Sequence, residues 1–216
     1  MEIQPKIPFT VFVEGNIGSG KTSFLNYISG FNEFHILTEP VELWRNIHGY
    51  NLLELKFSQP ERFQFTFQHY ATLTRLRQHL LPTEKPKIME RSLLSARRCF
   101  VETLRENGSL HMGMFFVLDE WYNFVNEFHK IRSDLIVYLR TTPDVAYQRV
   151  LKRARQEEVT LSYEYITQIH QRHESLFNEG LQLGTEIITI DGNKDEKEIQ
   201  IEYQKCYEEI KRRYLK

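Results

Sequence analysis

Two cysteines, Cys99 and Cys206, are all that this chain of 216 residues contains. They lie far apart and match no metal-ligand spacing. That excludes a disulfide-stapled scaffold and a thiolate metal centre, and leaves reduced thiols as the expected state. An excess of charge of either sign is missing too. With 28 Lys and Arg against 29 Asp and Glu the net charge is −1, a poor match for a nucleic-acid polymer or a membrane surface. No apolar run approaches the ~18 residues that a membrane-spanning helix needs. The first residues, Met1-Glu2-Ile3-Gln4-Pro5, resemble neither a secretory signal nor an Arg- and Ser-rich transit peptide. A cytoplasmic location is expected, or a mitochondrial one where a presequence has been trimmed. Internal repeats, low-complexity tracts and linkers are lacking as well, so residues 1–216 read as a single domain.

Against these absences stands one dense motif. Residues 9–13 are an apolar run that suits a buried strand, and Gly15-Asn16-Ile17-Gly18-Ser19-Gly20-Lys21-Thr22 follows it. Gly15, Gly20, Lys21 and Thr22 occupy the four fixed positions of a phosphate-cradling loop. Ser23 to Ile28 then has helical periodicity. Glycines allow positive φ and a close approach of backbone to ligand. Successive N–H groups, aided by the helix dipole, converge on phosphate oxygens. Lys21 would reach the β- and γ-phosphates, and the Thr22 hydroxyl is a Mg²⁺ ligand candidate.

Four further apolar runs, at 35–38, 87–89, 135–139 and 186–190, read as buried parallel strands. Helical patterns at 61–80, 93–107, 115–127, 145–155, 163–176 and 199–214 lie between and after them. Alternation of this kind predicts an α/β fold of the P-loop NTPase type, a five-stranded parallel sheet with helices on both faces. Ligands of such sheets bind beyond the carboxyl ends of the strands.

The strand ends carry Glu39, Glu90 and Arg91 as well as the loop. Two acids and an arginine beside a triphosphate point to phosphoryl transfer. One carboxylate would accept a proton from an attacking hydroxyl, one would hold Mg²⁺, and the arginine would offset developing charge. Glu39 precedes Pro40, which confines it to extended backbone and suits it as base or substrate clamp. Arg149, Arg153 and Arg155, followed by Glu157 and Glu158, form either a solvated charge stripe or a lid over the triphosphate at about 149–160. Trp44, Phe57, Phe63, Phe67 and Phe100 surround Gln68 and Arg75 in sequence. Such a set is either core or a slot that grips a flat nucleobase, with an amide reading its edge.

At this point the chain resembles the deoxyribonucleoside kinases. The likeness runs through EGNIGSGKT at 14–22, TEPVELW at 38–44, NLLEL at 51–55, FQHY at 67–70, ERS at 90–92, DLIVYLRT at 134–141 and RARQEE at 153–158. Ser95-Ala96-Arg97 and Tyr138-Leu139-Arg140-Thr141 draw it toward the insect multisubstrate and mitochondrial thymidine branch. The resemblance implies ATP-dependent phosphorylation of a deoxynucleoside 5′-hydroxyl for nucleotide salvage, broad or pyrimidine-leaning, by a homodimer packed through residues 115–127. It implies Glu39 as general base, aided by Arg91, with Gln68 on the base edge between Phe67 or Trp44 and Phe100. Glu158 would bind the 3′-hydroxyl, Arg149, Arg153 and Arg155 would cover ATP, and Thr22 and Glu90 would serve Mg²⁺.

Four positions depart from the family pattern. Phe57 stands where a tyrosine is usual, which removes a donor to the 3′-hydroxyl worth about 1 kcal/mol. Arg75 stands where thymidine-preferring members carry methionine, yet small Ala96 offers no aspartate to pair with it. Arg75 either swings out and leaves room for a 5-methyl group, or crowds thymine and favours cytosine or purines. Ala71 is expected to widen the pocket, and Arg98 replaces a usual aromatic. Two other readings share the loop. A GTPase switch needs Asn-Lys-x-Asp, which Asn193-Lys194-Asp195-Glu196 only approaches. A nucleoside monophosphate kinase needs an acceptor-phosphate site, for which Arg91 alone is thin.

Overall fold

Strand β1 (Thr10–Glu14) is buried at every position and forms the centre of a five-stranded sheet. The computed structural model describes residues 8–129, 131, 133–177 and 184–214; the N-terminal residues 1–5 read above lie outside these. Strands β2 (His35–Leu37), β3 (Lys87–Glu90), β4 (Leu135–Arg140) and β5 (Glu186–Asp191) complete the sheet in the order β2-β3-β1-β4-β5. Every pairing is parallel. All five strands therefore deliver their carboxyl ends to one edge.

Alternation along the strands sorts the core into two layers. Val11, Val13, Leu135, Val137 and Leu139 face helices α1 (Lys21–Ser29) and α10 (Glu196–Tyr214), through Phe24, Leu25, Ile28, Tyr203, Cys206 and Ile210. Phe12, Met89, Ile136 and Tyr138 pack the opposite face against Cys99, Leu176 and Phe177. The two free cysteines are thus buried on opposite faces of the sheet. Among the described residues no helix is long and apolar enough to cross a membrane.

The remaining helices build the walls above the sheet edge. Helices α2 (Val41–Arg45) and α3 (Leu52–Ser58) precede the long α4 (Pro60–Leu80), and none of the sequence patterns anticipated the first two. They bury Trp44, Leu52 and Leu53 against Phe67 and Ala71 of α4. The expected helix at 93–107 is α5 (Leu93–Ser95), a π-helical stretch (Ala96–Val101) and α6 (Glu102–Glu106) in succession. Then come α7 (Met112–His129), α8 (Pro143–Arg153), a 3₁₀ turn (Gln156–Glu158) and α9 (Tyr163–Phe177).

Candidate active site

The loop after β1 is built on close backbone approaches. Gly18 has φ +77°, and a Cβ there would lie 2.3 Å from the Ala146 carbonyl oxygen of α8. Gly15 has φ +143°, and its Cβ would meet the Leu139 carbonyl oxygen at 2.7 Å. Asn16 locks the loop from within: its Oδ1 accepts from Ile17 N at 2.8 Å and its Nδ2 donates to Ile166 O at 2.9 Å. Lys21 Nζ donates to the carbonyls of Gly15 and Asn16 at 3.2 and 2.7 Å. Burial, then the nearby Arg91 charge, draws the Lys21 ammonium down to about 8. Ser19 and Asn16 are buried behind the loop, whereas Ile17, Gly18, Gly20, Lys21 and Thr22 line an open cleft of about 730 Å³.

The same cleft takes in the ends of β2 and β3. Arg91 N donates to Val13 O at 3.0 Å and Ser92 N to Glu14 Oε1 at 2.8 Å, so the chain turns sharply after β3. Arg91 adopts φ +66° there. A non-glycine residue in that region stores about 1–3 kcal/mol, tolerated where surrounding contacts hold it. Here they do. Arg91 Nε donates to Glu39 Oε1 at 2.9 Å, its guanidinium lies 4.3 Å from the Phe100 ring centroid, and its Nη1 meets His173 Nε2 at 3.5 Å. His173 Nδ1 faces Ile169 O at 2.8 Å, and burial keeps the ring neutral, so Nε2 is the accepting nitrogen.

Arg75 answers the question that the departures posed, in a third way. It neither swings out nor stands free in the pocket. Its Nη2 donates to the same Glu39 Oε1 at 2.5 Å, and its guanidinium lies 5.0 Å from the Trp44 ring. Both arginines therefore address one carboxylate oxygen. Burial alone would raise the Glu39 carboxyl, but Arg91 and Arg75 together hold it well below the usual carboxylate range. Glu90 joins the halves of the cleft: its Oε1 accepts from Thr22 Oγ1 at 3.3 Å and its Oε2 from Glu39 N at 3.4 Å. Deeper still, burial raises the Glu14 carboxyl, and Oε2 of Glu14 has no hydrogen-bond partner among the described residues.

The aromatic set divides. Trp44, Phe57, Phe67 and Phe100 line the cleft with Gln68, Arg75 and Ala96, while Phe63 packs outside it. Trp44 Nε1 donates to Thr74 Oγ1 at 2.9 Å, which fixes the indole edge-on to Phe67. Ala71 lies on the same face of α4 as Gln68 and Arg75, about one turn from each, and is buried against Trp44 and Phe67 without itself lining the cleft. Arg98 is exposed, off the cleft lining.

Arg149, Arg153 and Arg155 reach the cleft, and Glu158 anchors the last two. Arg153 Nη2 donates to Glu158 Oε2 at 2.6 Å and Arg155 Nη1 to Oε1 at 3.3 Å. Arg45 of α2 grips the neighbouring Glu157 with two donors at 2.6 and 3.3 Å, tying this segment to the opposite wall. Sequence reasoning missed that tie, and it missed His173 and Lys56. Arg45, His173 and Lys56 lie outside the quoted motifs; the one available hint is a lysine inside the apolar pattern of α3.

Among the described residues no three His, Cys, Asp or Glu side chains cluster as a metal site. Mg²⁺ needs little from protein, since it keeps waters and phosphate oxygens and takes one or two side chains. Thr22 beside Glu90 fits that demand.

The sequence also matches known proteins. The deoxynucleoside kinase family model covers residues 11–215. Human mitochondrial thymidine kinase 2 is 42% identical over 171 residues, 79% of this chain and 64% of that protein. The mitochondrial deoxyguanosine kinase of Xenopus laevis is 35% identical over 76% of this chain and 71% of its own length. Human deoxycytidine kinase is 31% identical over 93% of this chain and 89% of its own length. Asn-Lys-Asp-Glu after β5 is accordingly not a guanine-reading motif. A loop for phosphates, a carboxylate held between two arginines and an aromatic slot share one cleft, and the chain that builds them belongs to the deoxynucleoside kinase family.

Proposed function

We propose that the protein transfers the terminal phosphoryl group of ATP to the 5′-hydroxyl of deoxyribonucleosides, leaning toward thymidine and deoxycytidine. The observation that carries this reading is Glu39, held by two arginines in the cleft that Lys21 also lines. Both guanidinium groups occupy Oε1, so Oε2 is the oxygen offered to the acceptor. As the acceptor attacks, its O–H bond breaks and the proton passes to Glu39 Oε2. A bond forms from the 5′-oxygen to the γ-phosphorus, and the bond from that phosphorus to the β–γ bridging oxygen breaks, releasing ADP. Lys21, Arg91 and the loop N–H groups stabilise charge on the transferring group. Arg149, Arg153 and Arg155 close over the donor and exclude water. Thr22 and Glu90 would hold Mg²⁺, which supplies charge neutralisation at the β- and γ-oxygens.

Trp44, Phe67 and Phe100 form the slot for the base, and Gln68 reads its edge. Relatives named for thymidine and deoxycytidine support the pyrimidine leaning. Incubating purified protein with ATP, Mg²⁺ and each of the four deoxynucleosides tests the reading; no monophosphate from any of them would end it. Nucleoside monophosphates as acceptors form the control arm for the competing reading.

A homodimer is part of the proposal. Helix α7 exposes Phe116, Val117, Trp121, Phe124 and Phe128, the last at 62%, and α4 beside it exposes Leu73. A contiguous apolar face of this kind marks an interaction surface. Light scattering on the parent and on Trp121→Glu checks it: a dimer that becomes a monomer is expected. A cytoplasmic location is proposed as well, and fractionation of cells carrying the full gene product decides between it and the mitochondrion named for two of the relatives.

A further inference from the structure

Positive charge dominates the cleft, yet nearly all of it is spoken for. Arg75 and Arg91 share Glu39, and Arg153 and Arg155 share Glu158. Among the described cleft residues, Lys21 is held by loop carbonyls, while Arg149 and Lys56 are left without an ion pair. Of these two, Lys56 of α3 is the one set between aromatic rings. Its Nζ lies 4.3 Å from the Phe57 ring centroid and 4.2 Å from that of Phe67, inside the cleft lining. Among the described residues no carboxylate comes within ion-pair distance of it. Ring faces attract the charge but are no ordinary acceptors for its three N–H donors, and among the described residues the half-buried ammonium faces the cleft without another partner. A ligand that displaces the water of the cleft has to supply the acceptor.

The surroundings say which end of a substrate that acceptor belongs to. The two acids that act most on Lys56 are Glu39 and Glu158. On the proposed function, on which this inference rests, those acids face the two ends of the sugar, while Gln68 and Phe100 face the base. Phe57 has no hydroxyl to give. Glu158 can only accept, and each of its oxygens already meets an arginine.

We infer that Lys56 is a substrate-binding residue that donates to the 3′-oxygen of the acceptor's sugar, a charge-assisted contact that selects nucleosides with a free 3′-hydroxyl. The ammonium supplies the donor, and Glu158 takes the hydroxyl's own proton in a hydrogen bond. Neither interaction requires a tyrosine at position 57.

Calorimetric affinities for thymidine and 2′,3′-dideoxythymidine, measured on the parent and on Lys56→Met, test this. The parent should prefer thymidine, and Lys56→Met should bind thymidine about tenfold more weakly while holding dideoxythymidine within twofold, the span expected of one charge-assisted hydrogen bond. Its melting temperature should stay close to the parent's, because Lys56 is half-buried and its contacts are the rings of Phe57 and Phe67. Lys56→Gln, which keeps length without charge, is the second variant should the first fail to fold, and its loss should be smaller and equally confined to thymidine. An equal loss for both nucleosides, or none for either, overturns the assignment. So does a parent that binds no nucleoside. A parent that binds thymidine in this pattern but forms no monophosphate would overturn the proposed function and leave the Lys56 contact standing.

Discussion

The two ends of the cleft are made in different ways. The end proposed for the donor comes from one unbroken stretch, Gly15 to Thr22, whose shape follows from local backbone freedom and two close approaches to neighbouring carbonyls. The end proposed for the acceptor is assembled from the ends of β2 and β3, from α2, α3 and α4 and from the π-helical stretch. It is held by contacts between residues far apart in sequence, such as Arg75 to Glu39 across 36 positions and Arg91 to Glu39 across 52. A site written in consecutive residues tolerates little local change. One pinned by distant ion pairs can be retuned one residue at a time while the fold stays put.

Substitutions at the two ends should expose that difference. The largest effect is expected from Glu39→Gln, which keeps the shape but removes the base: kcat should fall about 10²–10⁴-fold, while calorimetric nucleoside affinity changes little. Unchanged kcat would remove Glu39 from the chemistry. Next comes Gly18→Ala at the donor end. The added methyl meets the Ala146 carbonyl and φ is unfavourable, so a loss of about 1–3 kcal/mol in stability is expected, with KM for ATP raised and nucleoside affinity spared. Thermal melts and separate titrations of the two substrates check both halves of that statement.

Arg75→Met should act on the acceptor end alone. Glu39 owes part of its depressed pKa to Arg75, so the parent keeps the base form as pH falls and loses activity only below the ordinary glutamate range. Without Arg75 the acid limb of kcat/KM should move up by about one pH unit or more, and the thymidine-to-deoxycytidine ratio should change with it. A limb that stays put shows the ion pair to be bystander geometry. The alkaline side belongs to the donor end. Lys21 titrates at about 8, so KM for ATP should rise as pH increases through that value. The smallest effect is expected from Arg45→Ala, which unties Glu157 from α2; a rise of a few-fold in KM for ATP corresponds to about 1 kcal/mol.

The same contrast governs what could be read without coordinates. All five strands and the loop were legible, because buried parallel strands are apolar runs and the phosphate loop is a local pattern. Helix α2 was not, since five residues starting after Pro40 carry no period. Helix α3 did leave a sign in its Asn51 cap, whose Oδ1 accepts from Glu54 N at 3.0 Å, the first half of a capping pattern. Glu39, Arg91 and Glu90 were found because strand ends are a rule of the fold class. What Arg75 does there was not, because its partner Glu39 lies 36 positions away and only packing brings the two together.

The π-helical stretch from Ala96 to Val101 has a consequence for how this wall can change length. A π turn is one residue longer than the α turn it replaces. Losing one residue from it would let the helix regularise with the far flank near its present face, whereas the same loss from an ordinary α-helix rotates everything beyond it by about 100°. The side chains inside the stretch are the ones that would move. Phe100 is among them, so a deletion here would be felt at the ring that covers the Arg91 guanidinium and spare the helix beyond.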